Sequence, residues 1–442
     1  MTNVETVTET VEVRVSATPI AMSGIIVSMM FMAAASGLGF AYIPIRLAEL
    51  GFEAWVASAM FPALSFGGLI GCLVTGWMLR QSGHARIFMT FYAIIILSFL
   101  LILIFDNPAV WVFSRILYGF GINGAFIVAQ SWLHDSCTDA IRGKVISFFY
   151  VSYVVSLGFG SFMIGYLDVE SHIPMAICVC LVTAAILPVG LTRLRQPEAP
   201  EGINIQIRKL WSVSPVGLMG MLCVGGLTMT LQGFAPIYAG SLDLKPADIG
   251  LLMLMMQMGL LVVQLPMGAL SDVIDRRFVL MIVSTMSITL GIIALLTESN
   301  LNFFLLVLVF ALWSGSIETF YSVSSALAND RADPKDYVFL SSTQMLVWSF
   351  GAFIVPMMST VLLFYFPVTV FMWILLGISV FFANFVFLRI MVNRAVNGSE
   401  QEKFRYTTAQ VVHTGEYYNP EAIAEAIFES EENAGVSEGL TN

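Results

Sequence analysis

The chain has 442 residues, 58% of them hydrophobic and only 11% charged, with a net charge of −10 and a mean hydropathy of +0.85. Soluble domains carry about 25% charged residues, so a water-soluble globular fold is excluded. Apolar runs of about 20 residues, enough helix to cross roughly 30 Å of hydrocarbon, recur throughout, and the alternating pattern of an outer-membrane barrel is absent.

Residues 1–18 are polar and acidic and lack the basic start and cleavage site of a signal peptide, so a disordered cytoplasmic N-terminus is expected. Six apolar segments follow: Pro19 to Leu47, Val56 to Leu79, Ile87 to Phe105, Val110 to Leu133, Val145 to Tyr166 and Ile173 to Leu191. Residues 192–212, with Pro197, Pro200, Arg208 and Lys209, form a long connection. Six more segments run Val213 to Tyr238, Ile249 to Leu270, Phe278 to Leu296, Phe303 to Ala326, Phe339 to Leu363 and Val368 to Met391. The chain therefore reads as an all-α polytopic membrane protein with twelve transmembrane helices in two six-helix, pseudo-symmetric bundles, 19–191 and 213–391. The tail, 392–442, holds nine glutamates between Glu400 and Glu438 and reads as a solvated cytoplasmic extension. Asn419, Pro420 and Glu421 there have the order that starts a short helix.

Basic residues fix the expected orientation. With the N-terminus inside, seventeen lysines and arginines fall on the cytoplasmic side and only Arg46 and Lys245 on the other. Both termini are then cytoplasmic, in the inner (cytoplasmic) membrane. Four of the five cysteines lie within segments and Cys137 in a cytoplasmic loop, which gives no disulfide framework. The four histidines form no ligand pattern, and no nucleotide-binding, hydrolase or zinc motif is present. No cofactor, metal, nucleic-acid partner or enzymatic activity is expected, and a monomer is.

Two charged turns occupy equivalent places in the halves. The second reads Gly268-Ala269-Leu270-Ser271-Asp272-Val273-Ile274-Asp275-Arg276-Arg277. The first, from Gly76 to Arg86, keeps Gly76 and Gly83 but has Arg80 at the acidic position. Segment four carries Arg115-Ile116-Leu117-Tyr118-Gly119-Phe120-Gly121. Together these resemble the loop motif Gly-x-Leu-x-Asp-x-x-Gly-Arg-Arg and the Arg-x-x-x-Gly-x-Gly motif of the major facilitator superfamily, with Asp275 where glycine is usual. Arg80 and the segment from Trp111 to Gly165 are similar to the YcaD-type bacterial subgroup. The resemblance implies that Asp272 faces a helix N-terminus in its own half near Phe339. There the unpaired N–H groups favour a negative charge. It also implies that Arg276, with Arg277 beside it, reaches an acid such as Asp330, whereas Arg80 would repel the start of segment five near Val145 and could pair with Asp135. Segment five lacks the Gly-x-x-x-Gly-Pro pattern of many drug/proton antiporters, reading Gly158 to Gly165 without proline.

Two ionisable residues lie deep in segments, where such groups are costly and functional by default. Glu318 is central in segment ten, with Ser314, Tyr321, Ser322 and Ser325 on its face. A carboxyl shielded from water holds a proton more readily, so Glu318 is the expected proton-coupling group. Arg115 has a planar fork suited to a carboxylate. The resemblance places segments one, four, seven and ten around a central cavity. The expected substrate-binding set is Arg115, Gln130, Tyr42, Gln232, Tyr321, Gln344 and Trp348. The reading is a secondary transporter of a small organic solute, working by alternating access and coupled to protons. The alternatives are a drug-type proton antiporter or exporter, and a non-transporting receptor signalling through the acidic tail.

Overall fold

A computed structural model describes residues 19–137, 139–191, 205–296, 302–332 and 337–392. The helices are α1 (Pro19–Glu49), α2 (Ala54–Ser82), α3 (His84–Ile104), α4 (Pro108–Ser136), α5 (Asp139–Phe162, continued by a 3-10 turn to Tyr166) and α6 (Ile173–Gly190). After the connection come α7 (Ile207–Val213), α8 (Pro215–Ser241), α9 (Pro246–Ser271), α10 (Arg276–Leu296), α11 (Phe303–Asn329), α12 (Tyr337–Leu362) and α13 (Val370–Val392). All but α7 contribute to the twelve helices long and apolar enough to cross a membrane. The expected segments match them to within a few residues. Polar residues cap two of the helix starts. Asn107 accepts from Ala109 N–H at 2.9 Å ahead of Pro108, and Asn302 accepts from Phe304 N–H at 3.1 Å.

Helix α7 departs from the plain connection expected over 192–212. Its Leu210 is buried, and the Arg389 guanidinium at the end of α13 lies 5.5 Å from the Trp211 ring centre. A cation over an indole face is favourable, and this contact ties the connection to the second bundle.

Each bundle is built on the same two helix crossings, and glycine makes both possible. In the α1–α5 crossing a Cβ at Gly37 would stand 1.9 Å from the Leu157 carbonyl, and one at Gly160 2.0 Å from that of Ala34. Its counterpart in the second half is the α8–α12 crossing, where Gly225 meets Trp348 O at 2.1 Å and Gly351 meets Leu222 O at 2.0 Å. Likewise Gly67 and Gly119 bring α2 onto α4, as Gly259 and Gly315 bring α9 onto α11. Van der Waals contact drives helix association in lipid, so backbone-to-backbone approach at these four crossings sets the bundle geometry. The duplication is therefore visible in packing as well as in helix count.

The peripheral helices α3, α6, α10 and α13 have only 33–44% of their most apolar stretch buried, against 67% for α4, 72% for α1 and 83% for α8. The well-covered helices are central and free to line a cavity. Between the bundles, α5 meets α9 and α2 meets α12. A Cβ at Gly165 would lie 2.7 Å from Ala247 Cα, and one at Gly233 2.5 Å from the Phe61 ring. Rings pair across the interface at Trp55–Phe364 (5.1 Å) and Phe66–Phe353 (6.0 Å). These contacts all fall in the half of the molecule away from the start of α1 and the end of α13.

Candidate functional site

Where the bundles meet at mid-depth, they enclose a cavity of about 40 Å³. Its first-bundle wall includes Phe40, Ser65, Tyr118, Asn123 and Tyr153, and its second-bundle wall Met229, Gln232, Trp348 and Ser349. Pockets that hold organic ligands run to roughly 300–1,000 Å³, so this space takes a few waters and the bundles must part to admit a solute. Of the expected substrate-binding residues, Gln232 and Trp348 border the cavity.

Gln344 and Trp348 are one turn apart on α12 and share a face, while the Gly225 crossing holds the Trp348 backbone against α8. The Gln344 Oε1 accepts from Ser325 Oγ at 3.0 Å, which ties α11 to α12 and leaves Nε2 as the amide's donor. Trp348 Nε1, Gln232 Nε2 and Gln344 Nε2 are all buried and meet no protein acceptor.

Arg115 is 2% exposed and does not border the cavity. Its guanidinium stands 4.6 Å from the Tyr118 ring centre and 5.5 Å from that of Phe99, with Nε and Nη2 buried and without a hydrogen-bond partner. Tyr118, which does border the cavity, donates to Ser36 Oγ at 2.6 Å. Arg115 thus supports the wall from behind, through Tyr118.

Glu318 is 1% exposed on α11. Gly315 and Ala311 beside it press on Gly259 of α9, whereas Ser324 packs against Gly220 of α8. At 100° per residue, Ser314, Glu318, Tyr321 and Ser325 then lie along the face between those two contacts. Tyr321 is buried there. Gln130 donates to Tyr150 Oη and joins α4 to α5. Tyr42 donates to the Ser171 carbonyl at 3.3 Å, at the end of the first bundle away from the termini. None of Glu318, Tyr321, Gln130, Tyr42 and Gln344 is part of the cavity wall in this structure.

The charged turn of the second half forms two ion pairs. Arg276 reaches Asp330 through Nε–Oδ2 at 2.6 Å and Nη2–Oδ1 at 3.3 Å, and also donates from Nη1 to Ser271 Oγ at 3.3 Å. Arg277 pairs with Asp275 at 2.6 Å and donates to the Arg389 carbonyl at 3.4 Å. Burial alone pushes the Asp275 carboxyl up, but its hydrogen bonds from Arg277 outweigh this and hold it below the usual carboxylate range. Burial, and then the neighbouring Arg277 charge, lowers Arg331 from the ordinary arginine value. Asp272 closes α9, its N–H donating to the Ala269 carbonyl at 3.3 Å. Asp272 was expected to face the helix N-terminus near Phe339, and Arg80 to pair with Asp135; the side chains of Phe339 and Asp135 lie outside the described residues. Arg80 is exposed at the end of α2. Sequence reasoning marked Asp275 only as a departure from glycine; an acid two residues before an arginine was the signal that it is a clamp.

Twelve membrane-crossing helices in two like bundles, closing on a central cavity, define a polytopic transport-protein fold. The chain belongs to the major facilitator superfamily, whose model matches residues 24–245 and again residues 216–428. It is 23% identical over 373 residues to the MFS-type transporter YcaD of Escherichia fergusonii, covering 84% of this chain and 92% of that one. Against YcaD of Salmonella typhi it is 24% identical over 333 residues, 73% of this chain and 83% of the relative. Among solved structures, the nucleoside transporter NupG superposes with a TM-score of 0.64 at 14% identity, covering 85% of this chain and 100% of its own. The human organic anion transporter MFSD10 (TETRAN) gives a TM-score of 0.59 at 11% identity, covering 83% and 99%. These structural likenesses establish the fold.

Proposed function

We propose that the protein is a secondary transporter that carries a small organic solute across a bacterial inner membrane by alternating access, coupled to protons through Glu318. The observation that carries this reading is one-sided closure. The glycine and ring contacts between bundles gather in the half away from the termini, and a small central cavity lies beside them. A pair of bundles sealed on one side of a central site is one of the two states that alternate access requires. With both termini cytoplasmic, as the distribution of basic residues favours, the sealed side is the outer one. The protein works as a monomer, each bundle contributing one wall of the cavity. Glu318, buried near the middle of α11, is the carboxyl suited to take and release the coupling proton.

The wedge variant Gly165→Leu tests the alternating-access reading. A side chain there collides with Ala247, so it is expected to prop the closed side open. Single cysteines placed at that mouth should react faster with a membrane-impermeant maleimide in the variant than in its parent. Unchanged reactivity at both mouths would remove the two-state reading.

A further inference from the structure

We infer that the central cavity selects uncharged, flat, conjugated solutes through a hydrogen-bond acceptor that Trp348 and Gln232 hold, with Gln344 as the next donor along α12. The inference rests on the transport reading and names the class of cargo.

Trp348 decides the polarity of the recognition. An indole N–H is a donor with no acceptor capacity; that of Trp348, a residue bordering the cavity, is buried and meets no protein acceptor. Trp348 is 5% exposed and Gln232 8%, so both donors are shielded from bulk water. Leaving a buried donor unmade is costly, a penalty that a ligand carbonyl or ring nitrogen removes on binding. The Ser325 bond fixes the Gln344 amide so that its nitrogen too is presented as a donor, one turn from Trp348 towards the end of α12 nearer the termini.

Charge and shape narrow the class further. Among the described residues, no Asp, Glu, Lys, Arg or His borders the cavity. An anion brought here would lose its hydration without a facing cation, since Arg115 sits behind Tyr118. A cation would likewise lose its hydration without a facing carboxylate. The rings of Phe40, Tyr118 and Trp348 border the same space, and Phe40 stands edge-on to Tyr118 at 6.1 Å. Aromatic walls reward a flat conjugated body by stacking and edge contacts.

Three probes of nearly equal size separate the possibilities: benzamide, benzoate and benzylammonium, each titrated against the purified full chain by thermal shift. Benzamide is expected to stabilise the protein, with benzoate and benzylammonium at least tenfold weaker. Trp348→Phe keeps a ring and loses only the N–H donor. It should weaken benzamide by about three- to tenfold, the worth of one hydrogen bond, while its unliganded melting temperature shows that it folds. Benzoate binding as well as benzamide, an unchanged benzamide affinity in Trp348→Phe, or no stabilisation by any probe would each overturn the inference. Uptake of labelled benzamide into vesicles is read separately. Binding without uptake would remove the transport reading and leave the site standing, whereas uptake that Trp348→Phe does not weaken would do the reverse.

Discussion

Arg276 at the start of α10 and Asp330 at the end of α11 form a two-pronged ion pair, 2.6 Å and 3.3 Å, whose side chains are at most 1% exposed. Paired forks of this kind combine charge with fixed geometry. The pair joins the second-half charged turn to the helix that carries Glu318, so the turn and the buried carboxyl belong to one mechanical unit.

Breaking one partner leaves a buried charge uncompensated, at a cost of about 3–5 kcal/mol. Asp330→Asn and Arg276→Met should each lower the unfolding temperature of the detergent-purified protein markedly. The double variant should lose much less than the sum of the two. Strict additivity in this cycle would show that the residues do not stabilise one another.

The neighbouring Asp275–Arg277 pair should respond to acid. Asp275 is held below the usual carboxylate range in the folded chain. Its contribution is therefore present above the unfolded-state value and is lost as the pH falls through the depressed folded value. The stability gap between the parent and Asp275→Asn should be largest near neutrality and shrink on strong acidification. A gap that widens in acid would reverse the assignment.

The twelve helices were legible because bilayer thickness imposes a length and a polarity that few other pressures mimic. The Arg276–Asp330 pair was legible through the motif, since its loop spacing carries geometry with it. The cavity was less so. Gln232 and Trp348 border it, but Gln130 and Tyr42, equally polar on central helices, spend their hydrogen bonds on Tyr150 and Ser171 within the first bundle. Helical periodicity gives the face of a residue on its own helix but not the partner across the gap. The glycine crossings settle that partner, and their reciprocal pairing, Gly37 with Gly160 and Gly225 with Gly351, becomes apparent only when helices separated by over a hundred residues are brought together.

Arg115 was expected to grip a carboxylate, and its place behind Tyr118 changes the expected result. A planar guanidinium stacks on an aromatic face better than an ammonium does, so Arg115→Lys should loosen Tyr118 while keeping the charge. Solute affinity should fall several-fold with little change in turnover at saturation, and Arg115→Ala should be worse. Selective loss of binding for anionic solutes alone would restore the carboxylate role.

Glu318 gives the sharpest test of coupling. It is buried at 1% exposure on α11, near the middle of a 27-residue helix. Glu318→Gln preserves size and hydrogen bonding but fixes the group as neutral, the state that a proton carrier occupies for only part of its cycle. In proteoliposomes with an imposed pH gradient, uphill accumulation should vanish. Solute binding and downhill exchange should persist and lose their pH dependence, because the group that sensed pH no longer titrates. Exchange assays guard against a folding artefact, since a misfolded variant loses both activities together. If Glu318→Gln still accumulates solute against its gradient, Glu318 is not the proton site. No other acid occupies a comparable mid-span position, so proton coupling would then lose its structural basis.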